Sequence, residues 1–526
     1  MTQKEYEWLS HLPPQVMEEA KGHLLCGYAI ALEGWRRGLT LKWHSSEAAP
    51  FKSMKTWFVH KPGKLFSLSA ETESHYFFRS RGDKVSNQAV EAGADKQQTR
   101  DILKQAGVPA PAGEKFTAAD SDQSVISYAE ETGYPVVLKP VDGSFGRGVY
   151  TNLKNSQELT NALYEVREKS GYKDVIVEEY VPGTEYRLYV VGEKAAAAIE
   201  RVPANVTGDG KSSIDHLINS KNSERKKNPR LATCPIVVDE QVKHYLTAGG
   251  RTLQTVPAEG EVIFLRETSN ISLGGDPVDR LDDLPEEVKI VAVNALKAFP
   301  DFPHGGVDLI IPADGNRNEA AKVIEVNPTA QIGSLLYPMT GKGRDIPSAI
   351  IDYYFPASKA VKEANRLVYP DFKETLLPLE KKIAVAVKVP APPIPPVSTR
   401  LFTVSGPLNW LEVKKRLTEK AVKRNIQGYL KYRSSDNYEL AAASGTPDQL
   451  NDFINEAKEL TGEDYLTEDT ASETPAFFKQ GFRIVEPRNQ RRADLHKVDK
   501  KLKRLRLKRK VMLTGLNVYS RVRSSR

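Results

Sequence analysis

Two apolar runs, residues 134–138 and 175–177, are separated by a polar glycine-rich loop and a helix-patterned stretch, 156–170, and this arrangement limits the chain more than any other feature. The order is strand, loop, helix, strand, which places the chain among α/β folds. The loop reads Gly143-Ser144-Phe145-Gly146-Arg147-Gly148. Glycine lacks the side chain that would keep phosphate oxygens away from backbone N–H groups, so such a loop can cradle phosphate. Taken alone it is weak evidence, because glycine clusters are more often turns. It matches neither the Gly-Lys-Ser/Thr phosphate loop nor the dinucleotide fingerprint.

The neighbouring residues add to the signal. Lys139 ends the run Val136-Val137-Leu138-Lys139-Pro140, where a lysine is costly to bury unless an anion compensates it. A lysine reaching out from a strand end is the plainer reading. Glu178 and Glu185 flank the turn at Pro182-Gly183, with Val181 beside them. Such carboxylates can accept hydrogen bonds from an adenine amino group or ribose hydroxyls, or they can be surface charges. Further on, Asp308 lies in Gly306-Val307-Asp308-Leu309, and Glu325 and Asn327 lie in Ile324-Glu325-Val326-Asn327-Pro328. Residues 325 and 327 point to one face of a strand, so they can converge with Asp308 from a neighbouring strand. Hard oxygen donors of this kind suit Mg²⁺ bridging phosphates.

At 526 residues the chain is long enough for several lobes. Helical spacing over 14–37, stopped by Gly38, and strand patterns at 39–43 and 65–69 predict a small N-terminal α/β lobe over 1–90. The segment opening at Ala94-Asp95-Lys96 predicts a helix ended by Gly107. Hairpins are expected at 186–199, around Gly192-Glu193, and at 306–326, around Asp314-Gly315-Asn316. A main domain therefore spans 91–357. Five prolines between 390 and 396 predict an extended connector over 358–398, then a compact module over 399–465 and a basic tail over 466–526. Cys26 and Cys234 are the only cysteines, which argues against a disulfide framework or a cysteine metal site. No apolar run is long enough to span a bilayer, and Met1 to Ser10 lacks the pattern of a secretion signal. A cytoplasmic protein is expected.

Over residues 80–356 the sequence resembles the ATP-grasp superfamily, in particular the branch holding cyanophycin synthetase and the ligase half of bifunctional glutathione synthetases. The motifs carrying the resemblance are Asp95-Lys96 with Gly107-Val108-Pro109, the lysine strand and glycine loop, residues 178–186, Arg201-Val202-Pro203-Ala204, Asn270-Ile271-Ser272-Leu273-Gly274-Gly275, and Asp308, Glu325 and Asn327. The resemblance implies an ATP-grasp fold that joins a small carboxylate and an amine, on amino-acid or peptide-like substrates, through an acyl phosphate. It implies that Lys96 and Lys139 bind phosphate and that Gly143, Ser144, Phe145, Gly146, Arg147 and Gly148 form a flap over the triphosphate. By the same implication Glu178 and Val181 meet adenine, Glu185 meets ribose, and Asp308, Glu325 and Asn327 hold Mg²⁺, with Mn²⁺ as an alternative. Arg266 would stabilise the transferring phosphoryl group, and Arg187 and Arg201 would orient an anionic substrate. A homo-oligomer is expected. Asn205 and Leu335 stand where the cyanophycin branch often has histidines. That keeps open a second class of function, an ATP-binding regulatory or assembly protein without ligation.

Residues 400–455 resemble acylphosphatase, in Phe402-Thr403-Val404-Ser405-Gly406 and Asn425-Ile426-Gln427-Gly428-Tyr429-Leu430. The phosphate-loop sequence of that family is absent after Gly406, Tyr432 falls at the position of the catalytic asparagine, and Lys414 lies near that of the arginine. The resemblance implies an α/β sandwich without the site.

From Arg488 to Arg526 there are fifteen Lys or Arg against Asp494 and Asp499, a net of +13, which leaves the rest at −6 within the total of +7. Any affinity for a polyanion, whether nucleic acid, an anionic surface or an acidic polymer product, is thereby assigned to the tail. Truncation after Glu486 is expected to abolish low-salt retention on heparin while preserving ATP turnover. Equal retention of the truncated and full chains would remove the tail from that role.

Overall fold

The computed structural model describes residues 6–141, 148–313, 321–361, 365–393, 397–470 and 477–487. Most of the glycine loop, the Asp314-Gly315-Asn316 turn and the basic run after 487 lie outside them. The chain forms two compact units, one of Met1–Glu363 with Phe372–Ala391, the other of Ala364–Asp371 with the residues from Pro392 onward.

The first unit contains three principal sheets. The N-terminal sheet is antiparallel, in the order Ala386–Lys388, Thr40–His44, Leu65–Ser69, Ser74–Phe78 and Arg81–Gly82. The helix Leu25–Arg36 covers it, and close approach is essential: a Cβ on Gly34 would come within 2.4 Å of Leu68. The long helix expected over 14–37 is shorter than its hydrophobic pattern, because Gly22 adopts φ +68° and breaks the 3₁₀ turn Glu18–Ala20 from the turn Gly22–Leu24 that leads into the helix proper. The expected extended connector differs more. Phe372–Glu380 is a helix, and Ala386–Lys388 adds an edge strand to Thr40–His44. Trp35 Nε1 also donates to the Pro390 carbonyl at 2.7 Å. Proline spacing shows that a segment is extended; it does not show what the segment lies against.

A second, four-stranded antiparallel sheet runs Gly113–Phe116, Val175–Glu179, Val136–Pro140, Tyr150–Leu153. Alternation along Val136–Pro140 sends Val136 and Leu138 into a core with Leu159, Leu163 and Val177 and leaves Lys139 on the opposite face. The strand Tyr150–Leu153 after the glycine loop was not anticipated. The helix expected there is present as Ser156–Tyr164 followed by a π turn, Glu165–Lys169.

The third sheet has five antiparallel strands in the order Asp276–Asp279, Lys194–Val202, Gly183–Val191, His304–Pro312, Lys322–Asn327. Both expected hairpin pairs are here. Leu188, Val190, Val307 and Leu309 fill one face against the helix Glu286–Lys297, leaving the other for charged residues. No helix among the described residues is long and apolar enough to cross a membrane.

In the second unit, Ser398–Ser405, Trp410–Lys423, Gln427–Ser434, Asn437–Ser444, Pro447–Thr461 and Leu466–Glu468 follow a β-α-β-β-α-β order. Their sheet reads Leu466–Glu468, Ser398–Ser405, Asn437–Ser444, Gln427–Ser434, and Phe482–Val485 adds a parallel edge strand. This is the split βαβ arrangement. Lys414 is buried and paired with Glu486 at 2.6 Å.

Trp35→Phe is expected to destabilise the first unit by roughly 1–3 kcal/mol, since it removes the hydrogen bond from the buried indole to the Pro390 carbonyl. Urea denaturation followed by circular dichroism measures this. An unchanged midpoint would mean that the segment around Pro390 does not anchor the N-terminal lobe.

Candidate active site

Pairing in the third sheet brings the acidic residues together. Arg187 lies opposite Asp308 on one side, and Asp308 lies opposite Glu325 on the other, so the three occupy one rung across adjacent strands. Asn327 is two residues beyond Glu325, on the same face. The strand carrying Asp308 needs glycine at 306, because a Cβ there would come within 2.6 Å of Ala330 Cβ, on the side facing Asn327 and Arg187.

Asp308 is 2% exposed and accepts from Arg187 Nε and Nη2, both at 2.6 Å, and from Arg201 Nη2 at 2.9 Å. Burial disfavours its charge, but the two guanidinium groups outweigh that cost and hold its carboxyl below the ordinary carboxylate range. Arg201 also donates to Glu185, whose other oxygen accepts from Ser269 Oγ. Burial opposes the Arg201 charge, and Asp308 and Glu185 together more than restore it. Glu325 is exposed on its strand and lines the cavity. Desolvation first, then the Asp308 charge, push its carboxyl above the usual range against Arg187, Arg201 and Lys139. With its amide oxygen toward Arg187, Asn327 accepts from Nη2 at 3.2 Å and donates to Glu325 at 3.1 Å.

The second sheet supplies the cations. Asp95 caps the helix Lys96–Gln105 by accepting from the N–H groups of Gln97 and Gln98, which fixes Lys96 at its first turn. Lys96 Nζ donates to the Val141 carbonyl at 3.0 Å, just before the glycine loop. Lys139 Nζ lies 2.5 Å from Glu178 Oε2, while Arg100 Nη1 donates to Glu178 Oε1 at 2.6 Å. Gly113 leaves room for this group, since its Cβ would come within 2.6 Å of both Arg100 and Glu178. Arg100 was missed in the sequence, although its place one turn after Lys96 on a capped helix was a usable signal.

Lys96, Lys139, Glu185, Arg187, Arg201, Asp308, Glu325 and Asn327 line one cavity of about 1040 Å³. Asn270 and Ser272 line it too, from the Asn270-Ile271-Ser272 motif. Three expected residues are placed differently. Glu178 is 7% exposed and engaged by Lys139 and Arg100, and neither it nor the buried Val181 lines this cavity. Arg266 does not reach it either. Its guanidinium is held by Gln241 at 2.9 Å, the Val237 carbonyl at 3.2 Å and Asp239 at 2.7 Å. Gly148 takes φ +71°, and Gly143, Ser144, Phe145, Gly146 and Arg147 lie outside the described residues.

Among the described residues no group of three or more His, Cys, Asp or Glu gathers as a metal site. The donors here are two carboxylates and an amide. Such a set fits Mg²⁺, which takes one or two carboxylates and completes its shell with phosphate oxygens and water. Glu325 and Asn327 face the cavity, whereas both oxygens of Asp308 are already used by arginine.

Residues 95–202 match the family model described as carbamoyl-phosphate synthase L chain, ATP binding domain. The chain is 33% identical over 273 residues to cyanophycin synthetase of Synechocystis sp., covering 51% of this chain and 31% of that protein. It is 32% identical over 274 residues to the glutathione biosynthesis bifunctional protein of Enterococcus faecalis, covering 50% and 35%. The crystal structure of a bifunctional glutathione synthetase from Pasteurella multocida aligns with a TM-score of 0.44 at 29% identity, over 56% of this chain and 41% of that one. The chain spans about a third of the length of the curated relatives it matches. The sequence resemblance to ATP-grasp proteins is borne out by the family model and the curated relatives.

Arg187→Met is expected to destabilise the first unit by about 3 kcal/mol, because it leaves the buried Asp308 charge with Arg201 alone. Chemical denaturation checks this; a change below about 0.5 kcal/mol, the level of an exposed pair, would mean that Arg187 is not what makes burial of Asp308 tolerable.

Proposed function

We propose that this chain is an ATP-dependent carboxylate-amine ligase acting on amino-acid or peptide-like substrates. The observation that carries the reading is the rung Arg187, Asp308, Glu325 with Asn327, facing the same cavity as Lys96 and Lys139. Carboxylates are poor acyl donors. Attack of the substrate carboxylate on the γ-phosphorus breaks its bond to ADP and gives an acyl phosphate, and an amine then displaces phosphate to form the amide. Bound Mg²⁺, held by Glu325 and Asn327 beside Asp308, would offset charge on the transferring phosphoryl oxygens. Lys96 and Lys139 contact phosphate oxygens in this reading, and Arg187 and Arg201 keep Asp308 ionised and fixed. Glu185, close to Arg201, retains the ribose role. Lys139 would move from Glu178 toward the nucleotide, freeing Glu178 for the base edge with Val181. The glycine flap, residues 143–148, would exclude water from the acyl phosphate.

Finer parts of the reading follow. The second unit is taken as acylphosphatase-like in fold, supported by its split βαβ order, but without that activity, since Lys414 is committed to Glu486. A polyanion is assigned to the basic tail, and the protein is placed in the cytoplasm as a homo-oligomer. The rival, an ATP-binding protein without ligation, is less well supported. Asn205 and Leu335, the positions that raised it, are occupied with packing: Asn205 sits in a buried network with Asp276 and Lys221, and Leu335 is 1% exposed.

Lys139→Ala is expected to weaken ATP binding roughly ten- to a hundred-fold, the loss of one charge-assisted contact. Glu325→Ala is expected to abolish turnover while ATP affinity stays within a few fold. The assay is phosphate release with Mg-ATP across amino acids and dipeptides, with product masses determined. Wild-type turnover in the Glu325 variant refutes the metal assignment. ATP binding with no amide product from any pair favours the rival.

A further inference from the structure

The cavity has two ends that differ in charge balance. Around Asp308 every cation has an acidic partner: Arg187 and Arg201 are bound to Asp308, and Lys139 to Glu178. The other end is lined by His23, Lys61, Lys64, Arg79 and Arg230. Among the described residues none of these is in an ion pair. Lys64 donates to the Phe58 carbonyl, Arg230 Nη1 donates to Cys234 Sγ at 2.8 Å, and Arg79 lies 5.0 Å from the centroid of the Phe78 ring. The Nε atoms of Arg79 and Arg230 are buried without a hydrogen-bond partner. Besides Glu185, Asp308 and Glu325, two further carboxylates line the cavity: Glu19 accepts from the Lys373 N–H, and Glu380 is exposed.

The cost of this cluster is visible in its titration. Burial, then Arg79, Arg230 and Lys64, hold the His23 pKa down, and burial, then Arg79 and Lys61, do the same for Lys64. Its backbone is also constrained. Arg79 takes φ +57°, a conformation that non-glycine residues ordinarily avoid. Its N–H donates to the Lys64 carbonyl at 2.8 Å, and its backbone packs against Gly27. The cluster is tied to the reactive end through one loop. Ser80 Oγ donates to the Ala330 carbonyl at 2.6 Å, three residues after Asn327, and Arg230 packs over Gly333, where a Cβ would lie 2.7 Å from its Cδ. Unpaired, half-buried cations held beside a reaction centre, at a cost in desolvation and backbone strain, are the complement of an anion. The nucleotide's phosphates already have Lys96 and Lys139.

We propose that Lys64, Arg79 and Arg230 form a second anion subsite, so that the acid taken by this chain carries at least one further carboxylate besides the one to be phosphorylated. The proposal rests on the ligase reading and narrows its acid to a di- or tricarboxylate, such as an acidic amino acid or an acid-terminated peptide. His23 and Lys61 sit beside the three residues and add to the potential there. His23, Lys61, Lys64 and Arg79 precede the stretch that resembles ATP-grasp ligases and Arg230 lies within it, so selection of the acid would be shared between the N-terminal lobe and that stretch.

The test is calorimetric titration of the full chain with Mg²⁺ and a non-hydrolysable ATP analogue, using tricarballylate, glutarate, butyrate and inorganic phosphate as probes. Tricarballylate and glutarate are expected to bind at least about ten-fold more tightly than butyrate. Arg79→Gln, Arg230→Gln and Lys64→Gln are each expected to weaken tricarballylate binding by roughly ten- to a hundred-fold, with the affinity for the ATP analogue unchanged. Equal binding of tricarballylate and butyrate by the wild-type protein overturns the proposal, and that comparison needs no variant to fold. Unchanged tricarballylate affinity in all three variants also overturns it, and saturable binding of phosphate without tricarballylate overturns the carboxylate assignment. Because binding is read without turnover, absence of ligation in the phosphate-release assay counts against the ligase reading and leaves this result to decide the subsite.

Discussion

The buried charge of Asp308 is the constraint on which the rest of the site depends. A carboxylate that is 2% exposed is tolerated only if it is paired and hydrogen-bonded, and here two arginines from two other strands do so. That requirement fixes sheet register. A slip of one residue between Gly183–Val191 and His304–Pro312 would turn Arg187 to the apolar face and leave Asp308 without its bidentate partner. The same rung sets Glu325 beside Asp308, where the two charges oppose each other and a divalent cation with phosphate oxygens would relieve both. Under the proposed reading the ion pairs would be preorganisation for charge that arrives with a nucleotide.

The four-stranded sheet repeats the logic with the same signs. Lys139 is turned away from the core by strand alternation, and it and Arg100 both bind Glu178 on the neighbouring strand. Gly113 is needed at that level because Arg100 and Glu178 fill the space its Cβ would take. In both sheets one glycine beside the charged group makes room for a neighbour, Gly113 for those two side chains and Gly306 for Ala330. Neither glycine is in the loop that first drew notice in the sequence.

Short-range patterns made much of this legible. Alternation located the strands around Lys139, Asp308 and Glu325, the Asp95 cap located the helix bearing Lys96, and the order of motifs pointed to one nucleotide-binding lobe. What could not be read was set by distant partners. Arg266 has the right chemistry for a phosphoryl group, but Asp239 and Gln241, more than twenty residues upstream, hold it elsewhere. Proline spacing around 390 marked an extended strand and gave no sign that it pairs with Thr40–His44. The N-terminal lobe showed no chemistry because its cations, His23, Lys64 and Arg79, are scattered in sequence and gather only when Leu65–Ser69 and Ser74–Phe78 pair.

That last contrast separates two demands on one cavity. In the proposed reaction, phosphoryl transfer needs charge placed to fractions of an ångström, and the strand-borne Asp308, Glu325 and Asn327 would supply it, which is why the motif is legible as a local pattern. Choosing among acids needs only net potential and shape at the far end of the cleft, which loops and a strand end can supply from separate parts of the chain. Lys64 stands just before a strand, Arg79 just after one, and Arg230 at the start of a short turn, each beside a regular element but none within it. Under the proposed reading, catalytic charge would be built into sheet register and selective charge carried at the ends of elements, where side chains could change without disturbing the rung that holds Asp308.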